Sequence, residues 1–230
     1  MQAIILAGGF GTRLRSVIGN IPKPMAPIQG KPFLAYLLDY LQSQGITEVV
    51  LSVHYLYEQI QTYFSNAYRG IAIHYAIEDQ PLGTGGAIVH ALESIKTLHP
   101  VFVLNGDTFL QLDYRNMWDL HTKNSPVLTM ALRSVPDCYR YGAVQVEGNT
   151  VNSFSEKGVV QAGLINAGVY LIEPTLFHNL PINKQFSFEN EFLFPFVKQL
   201  KPQAFLVDNY FIDIGIPEDY ANALNLFPIL

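Results

Sequence analysis

Residues 1–14 read MQAIILAGGFGTRL. Gln2–Leu6 is an apolar run without alternation, and it stops at Gly8-Gly9. A short apolar run bounded by glycines predicts a strand buried on both faces. Moving outward, apolar residues at 33, 36, 37, 40 and 41 have helical spacing, and the pattern ends near Gly45. Glu48–Val53 reads as a second strand. Leu56, Ile60, Tyr63 and Phe64 mark a second helix, and Ile71–Ile77 alternates as a third strand. Ile88, Ala91, Leu92 and Ile95 mark a third helix, before a fourth strand at Val101–Leu104. Strands alternating with helices predict βαβ units, an α/β fold and a mostly parallel sheet. Right-handed crossovers then place helices on both faces.

The pattern changes after about residue 125. Val127–Leu132, Ala143–Val146, Val151–Phe154 and Val169–Ile172 are strand-like with few helices between them. One helix is expected over Glu189–Leu200, kinked or broken at Pro195. Another follows Pro217, where proline suits a first turn. There is no linker composition and no internal repeat. The expectation is one domain over 1–230, with halves at about 1–125 and 126–230 and the second half extending the same sheet.

Apolar residues make up 49% of the 230 and charged residues 14%, which excludes a disordered chain. No apolar stretch reaches the length of a membrane span, and the opening run is too short for a signal-peptide core. Cys138 is the only cysteine, so disulfide frameworks and cysteine metal sites are excluded. The expectation is a cytoplasmic protein with no membrane partner. A net charge of −5 argues against a general nucleic-acid binder. Residues 1–38 nevertheless hold Arg13, Arg15, Lys23 and Lys31 and no acid. A basic island on an acidic protein suits a small anionic ligand.

A glycine-rich turn after the first strand lets backbone N–H groups approach phosphate oxygens. The Walker pattern fails, because Gly11-Thr12-Arg13 stands where Gly-Lys-Ser/Thr is required. The dinucleotide fingerprint beginning at Gly9 fails too, because Leu14 occupies its last glycine. By itself the loop reads equally as a tight strand–helix turn. Arg13 offers a planar fork of donors, and Pro22-Lys23-Pro24 fixes the backbone around a lysine. That constraint serves a lysine that must meet a phosphate in one geometry. Asp107 beyond the fourth strand and Asp213 after Tyr210-Phe211-Ile212 are two carboxylates able to share a Mg²⁺. Each alone reads as readily as a turn or cap residue. The six histidines show no ligand spacing and read as structural or surface residues.

The run Gly8-Gly9-x-Gly11-Thr12-Arg13-Leu14 followed by Pro-Lys-Pro resembles the signature of the sugar-1-phosphate nucleotidylyltransferases. The resemblance continues through Leu82-Gly83-Thr84-Gly85-Gly86-Ala87, Asn105-Gly106-Asp107, Glu156-Lys157, Asn166-Ala167-Gly168 and Asp213-Ile214-Gly215. It implies a three-layer Rossmann-like fold with a mixed central sheet and a β-rich sugar-binding extension. It also implies a nucleoside triphosphate and a sugar 1-phosphate as substrates, with a homo-oligomer left open. Leu6, Ala7, Gly8, Gly9, Gly11, Thr12, Gly83 and Thr84 would bind the nucleotide, and Arg13 and Lys23 would be catalytic. Asp107 and Asp213 would hold Mg²⁺. Asn105, Gly142, Glu156, Lys157 and Asn166 would meet the sugar phosphate.

Family members using thymidine or uridine nucleotides carry Gln where this chain has Glu78. A carboxylate can accept from both N1–H and N2–H of guanine. Glu78 therefore points to GTP; the plainer reading is a solvated loop acid, with Asp79 or Gln80 nearer the base. Within the family the resemblance is strongest to the branch using GTP and a heptose 1-phosphate. The alternatives are mannose-1-phosphate guanylyl transfer, uridylyl, thymidylyl or cytidylyl transfer, or a non-catalytic nucleotide-sugar sensor.

Overall fold

A computed structural model describes residues 1–226 apart from 96, 159, 160 and 179. The elements of the first half are β1 (Gln2–Leu6), α1 (Arg15–Ile18), β2 (Pro27–Ile28), β3 (Lys31–Pro32), α2 (Phe33–Ser43), β4 (Glu48–Val53), α3 (Tyr57–Phe64), β5 (Ala67–Tyr68), β6 (Ile71–Ile77), α4 (Gly83–Ser94), β7 (Val101–Asn105), β8 (Thr108–Leu110) and α5 (Tyr114–Asn124). Those of the second half are β9 (Leu128–Val135), β10 (Val144–Glu147), β11 (Thr150–Phe154), β12 (Gly163–Ile172), α6 (Phe194–Leu200), β13 (Gln203–Val207), β14 (Phe211–Asp213) and α7 (Pro217–Leu226).

Ten strands form one sheet in the order β10-β11-β13-β9-β12-β7-β1-β4-β6-β5. β7, β1, β4 and β6 run parallel, as the alternation of strands and helices predicts. β12 pairs antiparallel with both β7 and β9, so the second half continues the first half's sheet. β1 shows why its sequence is apolar throughout. Ala3 and Ile5 enter one core, with Phe33, Leu37, Phe64, Tyr114 and Ala223 of α2, α3, α5 and α7. Ile4 enters the other, with Ile88 and Ala91 of α4 and Phe192 and Val197 on the opposite face. The sheet is thus covered on both sides. Each fully buried Ile or Phe contributes roughly 1.5–3 kcal/mol.

Several elements depart from the sequence reading: α1, β13 and the short β2, β3, β5 and β8 have no counterpart in it, and β12 begins at Gly163 rather than Val169. α5 was not anticipated, because its buried face is only Tyr114, Met117 and His121. Asp113 starts it by accepting from Asn116 N at 2.9 Å. The helix expected over Glu189–Leu200 is a π turn at Phe188–Leu193 leading into α6. An α-helix here would set the Pro195 ring against the Glu191 carbonyl, and the wider turn relieves that clash. Ser187 caps it: its Oγ accepts from Asn190 N at 3.2 Å, while its own N donates to Glu191 Oε2 at 2.6 Å.

Candidate active site

The carboxyl ends of the parallel strands form one rim, where ligands of open α/β sheets bind. β1 runs there into Ala7-Gly8-Gly9, β6 into Glu78 and β7 into Asn105-Gly106-Asp107. Two cavities meet at this rim. One of about 550 Å³ is lined by Leu6, Ala7, Gly8, Gly9, Arg13, Lys23, Glu78, Gly83, Thr84 and Asp107. The other, about 800 Å³, is lined by Gly142, Glu156, Asn166 and Asp213. Asn105, Lys157 and Glu189 line both. Gly11 and Thr12 belong to the loop without lining either cavity, although a Cβ at Gly11 would lie 3.2 Å from Lys23 Cβ.

Lys23 opens a single 3₁₀ turn between Pro22 and Pro24 and is buried. Its ammonium pairs with Asp107 Oδ2. Asp213 ends β14, which pairs with β8, and Asp213 stands opposite Thr108 in that ladder, next to Asp107. A Cβ at Gly215 would lie 2.8 Å from Asp213 Oδ1 and 3.3 Å from Lys23 Nζ, so the three groups meet at one point. Gly215 N donates to Asp213 Oδ1 at 2.7 Å. Burial pushes the Asp213 carboxyl above its ordinary range and the Asp107 charge adds to this; Lys23 and the Gly215 N–H pull it down. Asp107 Oδ1 also accepts from Thr108 Oγ1 at 3.3 Å. Two crowded carboxylates with acceptor sites to spare, beside a cavity able to take phosphates, are a fitting donor set for a divalent cation. Among the described residues no group of three or more His, Cys, Asp and Glu could hold a metal, so phosphate and water oxygens would have to complete the shell.

Glu78 is buried, not solvated. Its Oε1 accepts from Ser52 Oγ at 3.0 Å and its Oε2 from Leu82 N at 2.9 Å. A Cβ on Gly8 would come within 3.0 Å of Oε1, so the loop glycine leaves the room this carboxylate occupies. The second glycine stretch is used differently from the first. Gly85 N donates to Phe186 O at 3.0 Å, and Phe186 N to Leu82 O at 3.0 Å. The chain at Lys184–Phe188 thus lies directly across the start of α4. The Thr84 hydroxyl accepts from Phe188 N at 2.8 Å and donates to Glu189 Oε2 at 3.0 Å.

On the other side, β12 changes register against β9 between Asn166 and Tyr170. This bulge turns Asn166 toward the cavity. Asn166 Oδ1 accepts from Gly168 N at 3.0 Å, and its Nδ2 donates to Tyr170 OH at 2.6 Å. Glu156 and Lys157 are exposed and form no ion pair with any described residue. Sequence reasoning missed Glu189 and Phe10. Phe10, half exposed in the first cavity, packs edge-on to His54 at 5.5 Å. Asp219, an acid in the first turn of α7, receives a bidentate pair from Arg140 at 3.1 and 2.6 Å.

A glycine loop, a clamped lysine and two carboxylates at this rim define a phosphate-handling α/β enzyme, and comparison with known proteins agrees. The nucleotidyl transferase family model matches residues 2–227, and the chain belongs to that family. It is 49% identical over 225 residues to D-glycero-alpha-D-manno-heptose 1-phosphate guanylyltransferase of Campylobacter jejuni, covering 97% of this chain and 99% of that one. A protein of the same description from Aneurinibacillus thermoaerophilus is 48% identical over 97% of this chain and 96% of its own. The crystal structure of HddC from Yersinia pseudotuberculosis superposes with a TM-score of 0.85 at 40% identity, over 99% of each chain. That protein has also been crystallised complexed with GMP-PN.

Proposed function

We propose that this enzyme transfers a guanylyl group from GTP to D-glycero-α-D-manno-heptose 1-phosphate, giving GDP-heptose and pyrophosphate. The observation that carries this reading is the meeting of Lys23, Asp107 and Asp213 where a nucleotide-sized and a sugar-sized cavity join. The named relatives supply the sugar and the base. The buried Glu78 carboxylate, with one acceptor site used on each oxygen, supports guanine.

A phosphate oxygen of the sugar 1-phosphate attacks the α-phosphorus of GTP. The bond to the bridging oxygen breaks on the opposite side, and pyrophosphate leaves with the electron pair. The attacking oxygen is already anionic, so no general base is needed. Position and charge then carry the catalysis. Lys23 neutralises charge on the α-phosphate, Arg13 binds the departing pyrophosphate, and Lys157, which borders both cavities, docks the sugar phosphate. Leu6 to Gly9, Gly83 and Thr84 line the nucleotide, and Asn105, Gly142, Glu156 and Asn166 the sugar. Asp107 and Asp213 would hold a Mg²⁺, which supplies charge neutralisation to the triphosphate. The reaction is assigned to the cytoplasm, where nucleoside triphosphates are made.

The test is a panel of four nucleoside triphosphates against hexose and heptose 1-phosphates with Mg²⁺, read by pyrophosphate release. Highest kcat/KM is expected for GTP with the heptose 1-phosphate. A preference for another base or a hexose would replace that assignment, and no release with any pair would refute nucleotidyl transfer.

A further inference from the structure

Glu189 borders both cavities and has no part in the mechanism above. It sits in the π turn and is half buried. Its Oε2 accepts from Thr84 Oγ1 at 3.0 Å and its Oε1 from Tyr170 OH at 3.1 Å. Both donors are neutral, and no described Lys, Arg or His pairs with this carboxylate. A carboxylate has about four acceptor sites, and two remain open here. Facing a cavity, these two sites can exchange water for donors of a ligand. A triphosphate offers none and repels the charge, whereas a sugar offers several hydroxyls.

We propose that Glu189 accepts hydrogen bonds from sugar hydroxyls and so helps set which sugar 1-phosphate is used, an inference that rests on the transferase reading above. The carboxylate is already held in place for this task. Phe188 N holds Thr84 Oγ1 at 2.8 Å, and Asn166 Nδ2 holds Tyr170 OH at 2.6 Å. Tyr170 is fully buried, so its phenol remains a neutral donor. Both oxygens are therefore fixed from opposite sides before any ligand arrives, and little ordering cost remains at binding. The relay is bidirectional in position: Thr84 lies in the nucleotide cavity, and Tyr170 and Asn166 in the sugar cavity.

The test compares wild type with Glu189→Gln, which keeps the size and removes the charge. A charge-assisted hydrogen bond is worth about tenfold to a hundredfold in binding. KM for the sugar 1-phosphate should rise by that factor while KM for the nucleotide changes less than about twofold. Deoxy analogues of the sugar 1-phosphate provide the second readout. Wild type should discriminate against the analogue lacking the bonded hydroxyl, and Glu189→Gln should not. An equal rise in both KM values, or discrimination retained by the variant, would reduce Glu189 to a structural brace and overturn the proposal. A rise confined to the nucleotide KM and reversed with 2′,3′-dideoxy nucleotides would assign it to the ribose instead. Should Glu189→Gln not fold by near-UV circular dichroism, Glu189→Asp, shorter but still charged, carries the same measurements. If no substrate pair releases pyrophosphate, the transferase reading fails separately, and saturation-transfer NMR with the sugar 1-phosphates alone decides for Glu189. Binding weakened in the variant sustains the proposal; equal binding, or none to wild type, overturns it.

Discussion

Single side chains carry the chemistry here, and the chain shows which of them a sequence can reveal. Lys23 was legible because two prolines hold it, and the structure gives the reason: the ammonium is buried against Asp107. Lys23→Ala should leave the fold intact and lower kcat about 10²–10³-fold, the usual cost of one transition-state charge. Circular dichroism and steady-state kinetics check this, and near-normal turnover would remove the assigned role. Glu78 was legible only as a departure from glutamine. Its burial and its bonds to Ser52 and Leu82 belong to tertiary structure. Glu78→Gln keeps one acceptor oxygen and gains two donors, which oppose the donor edge of guanine. GTP should lose about tenfold to a hundredfold in kcat/KM, with UTP or dTTP gaining relative to it. An unchanged base preference across the four nucleotides would dismiss Glu78 as the base reader. Glu189 carried no sequence signal, since an acid at the start of a helix reads as an ordinary first-turn residue.

Among elements, the parallel strands of the first half were legible, β1, β4 and β6 to the residue and β7 to within one, whereas the short β2, β3, β5 and β8 were not. Runs such as EVVLSV in β4 are apolar because both faces are covered, and nothing competes with that reading. α5 was not legible, because a histidine takes one of its three core positions. The π turn was half legible: Pro195 signals a disturbance but not its form, and no local pattern announces that the preceding segment, Lys184–Phe188, makes contact with α4. That contact explains why Gly83-Thr84-Gly85-Gly86 has so few side chains. A Cβ at Gly86 would lie 2.4 Å from the backbone oxygen of Lys184, which cannot rotate aside. Gly86→Ala should therefore force the two segments apart and cost about 1–3 kcal/mol, the range of overpacked sites. Urea unfolding measures it as a lower midpoint with unchanged slope. A midpoint equal to wild type would mean that Lys184–Phe188 does not press on α4.

For the whole molecule the decisive feature is that one sheet spans both halves, with β12 of the second half inserted beside β7 of the first. His121 lies on that seam. It belongs to α5, is fully inaccessible, and reaches Thr129 of β9 and Glu173 just beyond β12. Glu173 can only accept, so Nε2 carries the proton and donates at 3.2 Å; Nδ1 then accepts from the Thr129 hydroxyl at 2.7 Å. This fits a neutral ring. Burial lowers the pKa of His121 below the ordinary 6.5, and the Glu173 hydrogen bond and charge raise it only in part. The unfolded chain takes up a proton near 6.5, while the folded chain resists until lower pH. Between those two values the unfolded state binds more protons, so stability rises with pH through the window. The contribution is complete above 6.5 and is lost as the pH falls through the folded value. His121→Gln retains a donor and an acceptor but cannot titrate. Unfolding free energies at pH 5 and pH 7.5 should therefore fall more steeply on acidification for wild type than for the variant. Because β9 and β12 are both held by this ring, the wild-type loss should appear as one transition seen alike by far-UV circular dichroism and by the fluorescence of Trp118, the chain's single tryptophan. Equal acid losses in the two proteins would mean that the seam histidine is not the titrating group.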